Sequence, residues 1–358
     1  PPYYNYQYSF TYTGDDFKIT DAEMPVYRLV LDSGAAKSLA NSILGTPLGF
    51  MDLSGLSGVS VGSISLSQGK DGYNIYMNFD QGRVSIDRNQ SYSYPVLYKT
   101  MAVCDGPGCA RPYEEPKYEA VADSVLIDKA EEIISQFNID KSVYGKPAVD
   151  NSWKKYNYDS TYIPQYQSVV YPLVFDGKET FESGGYVNGM RVNVDLADLK
   201  VQGVSEILNP LFEKSNYELE TDFARILKIA EKGGMNGMYY IYGAQVEGES
   251  LNLGTPEYVY MHQYDYADGY SFVRELYYPA LKFPIINVSK DRPIYHDYVI
   301  IPIVKEILDT YEKQGDGGLP RPLPMMGGAT DSGFNEPGVL EGSAGSVAVP
   351  TETQVIKY

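Results

Sequence analysis

The chain reads as an α+β protein: antiparallel β-sheets with a few packed helices, preceded by a β-rich region. Three observations predict this. Tyrosine makes up 35 of 358 residues against one tryptophan and 12 phenylalanines, and tyrosine favours strands and half-buried sheet surfaces. Runs of alternating apolar and polar residues recur along the whole length, several of them joined by Asp-Gly or Asp-Gln-Gly, the turn residues of hairpins. Two segments instead carry the 3.6-residue apolar spacing of a helix packed on a core.

In order, Tyr8, Phe10 and Tyr12 alternate after an aromatic, Pro-rich lead-in, and residues 26–32 form a second apolar run. A weak helical period follows at Ala36, Leu39, Ala40 and Ile43. Val59, Val61, Ile64 and Leu66 then alternate in a Gly/Ser-rich stretch, and Tyr73–Phe79 and Arg83–Asp87 flank Asp80-Gln81-Gly82 as a hairpin. These elements suggest a β-rich N-terminal domain over 1–95. Residues 96–119 form a connector holding Pro107, Pro112, Pro116 and the cysteine pair Cys104/Cys109.

The clearest helix is expected over Ala120–Asn138, with Val121, Val125, Ile127, Ala130, Ile133, Ile134 and Phe137 on its apolar face. Strands are expected at Val169–Phe175, before Asp176-Gly177, and at Met190–Asp195 and Lys200–Val204. A second helix is expected over Leu219–Lys232, stopped by Gly233-Gly234. Met238–Tyr242 reads as a strand, and Val299–Tyr311 as a strand running into a last helix. An α+β domain over 120–312 and a Gly/Pro-rich tail over 313–358 complete the division.

The stretch Glu257–Pro284 organises the second half. Asp268-Gly269 as a two-residue turn sets Tyr264 opposite Val273, His262 opposite Glu275 and Tyr260 opposite Tyr277. One face then carries Tyr258, Tyr260, His262, Tyr264 and Tyr266; the other carries Val259, Met261, Leu276 and Tyr278. The tyrosines Tyr258, Tyr260, Tyr264 and Tyr266 form a candidate binding surface, the alternative being a face covered by the protein's own helix.

The formal charge of −18 and the lack of any Lys/Arg cluster argue against nucleic acid and against anionic membrane surfaces. No run of about 18 apolar residues is present to span a bilayer. The chain begins Pro1-Pro2-Tyr3, from which an upstream leader or membrane helix is expected to have been removed, the only membrane connection anticipated. Cys104 and Cys109 enclose Asp-Gly-Pro-Gly, which can turn back to allow a disulfide; two free thiols in a loop are the alternative. Two histidines are too few for the usual zinc sites, and neither a phosphate-binding Gly loop with Lys nor EF-hand spacing occurs, so no metal or cofactor is expected.

Catalytic motifs are thin. Leu31-Asp32-Ser33-Gly34-Ala35 matches the Asp-Ser-Gly signature of aspartic proteases, whose mechanism needs two such aspartates. The second match, Asp331-Ser332-Gly333, lies in the tail without a preceding apolar strand. Gly58-Val59-Ser60-Val61-Gly62 spells a nucleophile elbow inside an alternating strand with no helix after it. His262 beside Glu275 reads as a cross-strand pair rather than an oriented base, and His296 as a loop residue.

The helix AVADSVLIDKAEEIISQF followed by GMRVNVDLADLKVQGV resembles a PepSY-type unit, and is similar to the duplicated PepSY-like extracytoplasmic domains of membrane-anchored bacterial regulators. Helix 219–232 followed by the hairpin ending in Tyr278-Pro279 would be the second copy, echoing Tyr171-Pro172. The resemblance implies helices packed on antiparallel sheet and no catalytic residues. It also implies a non-enzymatic binding or regulatory role outside the membrane, in the cell envelope, with another protein as partner. The alternatives are a structural or assembly protein of the cell surface that pairs with itself through terminal arms, and, more distantly, a hydrolase at Asp32.

Overall fold

The fold is described from a computed structural model covering residues 9–30, 63–67, 72–78, 82–89, 117–156, 162–208, 211–235, 250–266, 273–287 and 297–314. Cys104, Cys109, Asp32, Ser60, His296, the Asp268-Gly269 turn, strand 238–242 and the tail lie outside these residues, as does the side chain of Tyr266.

In chain order the strands are β1 (Ser9–Tyr12), β2 (Glu23–Leu29), β3 (Ser63–Ser67), β4 (Tyr73–Asn78), β5 (Arg83–Arg88), β6 (Ala148–Val149), β7 (Tyr166–Pro172), β8 (Val174–Phe175) and β9 (Lys178–Glu182). They continue with β10 (Gly189–Asp195), β11 (Lys200–Leu208), β12 (Phe212–Glu218), β13 (Ser250–Leu253), β14 (Glu257–Tyr266), β15 (Val273–Pro284) and β16 (Tyr298–Pro302). The helices are α1 (Asp123–Gln136), a single turn α2 (Trp153–Tyr156), α3 (Phe223–Ala230) and α4 (Lys305–Gln314).

The first sheet runs β3-β4-β5-β11-β10-β7-β6 and is antiparallel throughout. Helix α1 covers one face. Leu126, Ala130, Ile133, Ile134 and Phe137, spaced as one helical stripe, pack on Ile75, Met77, Ile86, Val169, Val192, Val194 and Val204. Leu126 takes the place expected for Val125, which is exposed. The helix ends where Asn138 turns left-handed at φ 50°. The amide of Ile139 then reaches the carbonyl of Ile134 at 3.0 Å and that of Asn138 reaches Ser135 at 3.2 Å, closing the last turn.

The second sheet runs β12-β2-β15-β14-β9-β8, with β16 sharing the β2 edge of the long strand β15. All its pairings are antiparallel except β14 with β9. Both faces are buried. On one, Tyr260, Tyr277, Leu281 and Phe283 meet Phe175, Ile226, Ile229 and Leu308; on the other, Val259, Met261, Leu276, Tyr278 and Ala280 meet Phe181, Val304 and Ile307. Asp222 caps α3 by accepting the amide of Ala224 at 3.0 Å, and left-handed Gly233 and Gly234 follow its end. A short parallel pair, β1 with β13, packs Phe10, Leu251 and Leu253 into the core beside Leu281 and Phe283 of β15, and Leu253 bridges to Ile285.

Two expectations are corrected. The N-terminal β region is not a domain of its own: β2 lies in the second sheet between β12 and β15, while β3–β5 extend the first beyond β11. The register of the β14–β15 hairpin is also moved by two residues. His262 stands opposite Tyr277, Tyr264 opposite Glu275 and Tyr266 opposite Val273. Because side chains alternate with period two, an even shift leaves each residue on its expected face.

Candidate functional site

The feature with the densest chemistry lies where the two sheets meet, around His262 on β14. Three strands place it. The parallel pairing of β14 with β9 sets Glu182 opposite His262. The antiparallel pairing with β15 sets Tyr277 opposite it and Glu275 one pleat away on the same face. The first sheet contributes Arg83 from the start of β5, and β11 contributes Glu206.

The bulge in β11 explains that last contact. The register of β11 with β5 slips between Val204 and Ile207, and Glu206 adopts φ 60°, which re-aims its carboxylate at the Arg83 guanidinium. The Tyr144 hydroxyl pins the bulge, donating to the Glu206 carbonyl at 2.9 Å and accepting the Leu208 amide at 3.0 Å.

The result is a row of alternating charge. Arg83 donates to Glu275 through Nη2 at 2.7 Å and Nε at 3.3 Å, a two-pronged contact. His262 Nε2 stands 3.5 Å from Glu275 Oε2, an ion-pair distance without hydrogen-bond alignment. His262 Nδ1 lies 3.0 Å from each oxygen of Glu182, whose Oε1 also accepts Asn188 Nδ2 at 2.5 Å. The Tyr277 hydroxyl donates to Glu275 at 3.0 Å, and its ring stacks on the imidazole at 4.9 Å. His262 is 1% exposed and Glu275 5%.

Electrostatics follow from these contacts. Burial works against a charged imidazole, but the hydrogen bond to Glu182 and the charges of Glu182 and Glu275 outweigh it and raise the His262 pKa. Burial would raise both carboxyls; instead His262 first, with Arg83, holds Glu275 and Glu182 below the usual carboxylate range. Burial pushes the Tyr277 phenol well up.

The expected tyrosine surface divides. Tyr260 is fully buried under the β8–β9 turn, against Phe175, with its hydroxyl on Asp176 Oδ2 at 3.2 Å beside that of Tyr27 at 2.8 Å, so it is withdrawn from any binding surface. Tyr258 is half-buried against Phe17 at 5.7 Å. Tyr264 is 37% exposed and accepts Arg83 Nη2 at 3.1 Å. Tyr76, which sequence reasoning did not single out, is 45% exposed on β4. It pairs with Ser85, two residues along the same face from Arg83.

His262 and Glu275 do come together as expected, diagonally rather than squarely. Arg83, Glu182 and Asn188 were missed. Glu182 reaches His262 through a parallel, long-range strand pairing that leaves no local sequence signal, and Arg83 crosses between sheets. Among the described residues no group of three His, Cys, Asp or Glu side chains is arranged to hold a metal, and no helix is long and apolar enough to cross a membrane. A scan against family models, a search of curated proteins and a search of solved structures each found no match.

Proposed function

We propose that the chain is a non-enzymatic binding or regulatory module of a bacterial cell envelope, with a partner protein docking on the face that carries Tyr76 and Tyr264. One observation carries this reading: the imidazole at the centre of the only histidine-centred cluster among the described residues is buried between two carboxylates, whereas exposed Tyr264 meets Arg83 at its rim and exposed Tyr76 stands two residues along the same face from Arg83. A group with no open face offers a substrate nothing to approach. Two solvent-facing tyrosines around a fixed arginine are the side chains that dominate protein interfaces, since they bring large, rigid, amphipathic area at low entropic cost. The packing of α1 on antiparallel β7, β10 and β11 agrees with the arrangement that the PepSY resemblance implies, and α3 with the β14–β15 hairpin would be its second copy. An extracytoplasmic address and a disulfide between Cys104 and Cys109 belong to the same proposal.

The test is site-specific photo-crosslinking in the producing cells, with the reactive side chain at Tyr76, at Tyr264 and, as control, at Asp128 on the exposed side of α1. The binding reading expects Tyr76 and Tyr264 to capture the same partner species and Asp128 to capture none. Adducts containing only further copies of this chain would favour a self-assembling surface protein instead. No adduct at either tyrosine would overturn the proposal.

A further inference from the structure

We propose that Glu182, His262 and Glu275, with Arg83 of the first sheet behind them, form a latch inside the second sheet that is closed only while the buried imidazole carries both of its protons, so that loss of one proton loosens β9 from β14. Nδ1 faces the Glu182 carboxylate at 3.0 Å and Nε2 faces the Glu275 carboxylate at 3.5 Å. Ionised carboxylates accept and cannot donate, so both ring nitrogens must carry hydrogen for both contacts to be favourable; a neutral imidazole has a single N–H. A neutral ring with its hydrogen on Nδ1 still donates to Glu182, but it turns the Nε2 lone pair towards Glu275 and carries no charge between the two carboxylates. A ring with its hydrogen on Nε2 would need Asn188 Nδ2 to donate to Nδ1, and that nitrogen is 3.4 Å away and 2.5 Å from Glu182 Oε1.

Every element packed against the ring contributes to the balance. Glu182 comes from β9, Asn188 from the turn before β10, Tyr264 from β14 at 4.6 Å, and Glu275 and Tyr277 from β15. Arg83 of β5 and then Glu206 of β11 stand behind Glu275. With the ring charged the row alternates in sign. With the ring neutral, two carboxylates face each other across it and only Arg83 offsets the buried one. Strand β9 is the element with most to lose, because its pairing with β14 spans only Tyr260–His262 and ends at this contact.

The sign of the pH dependence follows. A histidine whose folded pKa is raised contributes stability that is complete below its ordinary value of 6.5 and fades as pH rises through the folded value. Glu182 and Glu275, held low, contribute above their ordinary 4.5 and lose that contribution as pH falls through their folded values. The latch is therefore fully made between those ordinary values and opens on the alkaline side by one titration.

Nitrogen-detected NMR of the two histidines in the full chain tests this, with His296→Gln to assign signals and hydrogen exchange read in parallel. The expected result is a His262 that loses its second proton with a midpoint above that of free histidine. Passing that midpoint speeds exchange at Phe181 and Glu182 by about tenfold beyond the intrinsic rate, a step absent in His262→Gln. If His262→Gln does not fold, Glu182→Gln keeps the ring and lowers its midpoint by about one pH unit or more. A His262 midpoint at or below that of free histidine, an exchange step that persists in His262→Gln, or an unmoved midpoint in Glu182→Gln would each overturn the latch.

Discussion

Two arginines show how the same side chain differs in weight with burial. Arg83 is 13% exposed and meets a Glu275 that is 5% exposed, so removing either partner costs a largely desolvated contact, with Glu206 left to Arg83 and His262 left to Glu275. Arg225 binds Glu220, Asp309 at 2.7 Å and Glu312 at 2.9 Å, joining α3 to α4, but its partners Asp309 and Glu312 are 41% and 50% exposed. Solvent screens that second network. Arg225→Ala should cost about 1 kcal/mol or less in urea unfolding, with the loss shrinking as salt is added. A larger, salt-independent cost would mean that the α3–α4 contact is far less solvated than its geometry states. Residue-scale chemistry was partly legible: His262 and Glu275 stood out because both sit on one hairpin, whereas Glu182 and Arg83 arrive from strands remote in sequence.

The elements were legible wherever the signal is local. Helix α1 follows its apolar stripe, and the Asp176-Gly177 turn forms as its residues dictate, with φ 49° and 75° between Phe175 and Lys178. The hairpin at Asp268-Gly269 was misjudged in register because a two-residue turn is only one of several loops the same strands accept, while the face of each strand, set by period two, survived. Two glycines separate the sources of strain at this scale. Gly177 has open space where a Cβ would stand, so Gly177→Ala should cost only the left-handed backbone penalty, about 1 kcal/mol. At Gly189, φ 155°, a Cβ would collide with the Tyr171 carbonyl of β7 inside a continuous sheet. Gly189→Ala should therefore cost more than about 3 kcal/mol or prevent folding. Thermal melts of the two variants check this, and equal losses would contradict it.

For the whole molecule, the division of the chain into an N-terminal β domain and a later α+β domain fails because strand order is non-local. Strand β2 needs β12 and β15, and β5 needs β11, partners more than a hundred residues away. Composition shifts report boundaries only when each part pairs within itself. The charged row crosses between the sheets at one contact, Arg83 of the first with Glu275 of the second, and Tyr144 beside it touches both cores. The most direct test is a double-mutant cycle in denaturant with Arg83→Met and Glu275→Gln, one residue from each sheet. Each single change should cost about 1.5–3 kcal/mol, the worth of a buried charged contact, because Glu206 still meets Arg83 and His262 still meets Glu275, and the double should cost less than the sum by about 1 kcal/mol or more. Additivity within about 0.5 kcal/mol would contradict the claim that this pair ties the sheets together.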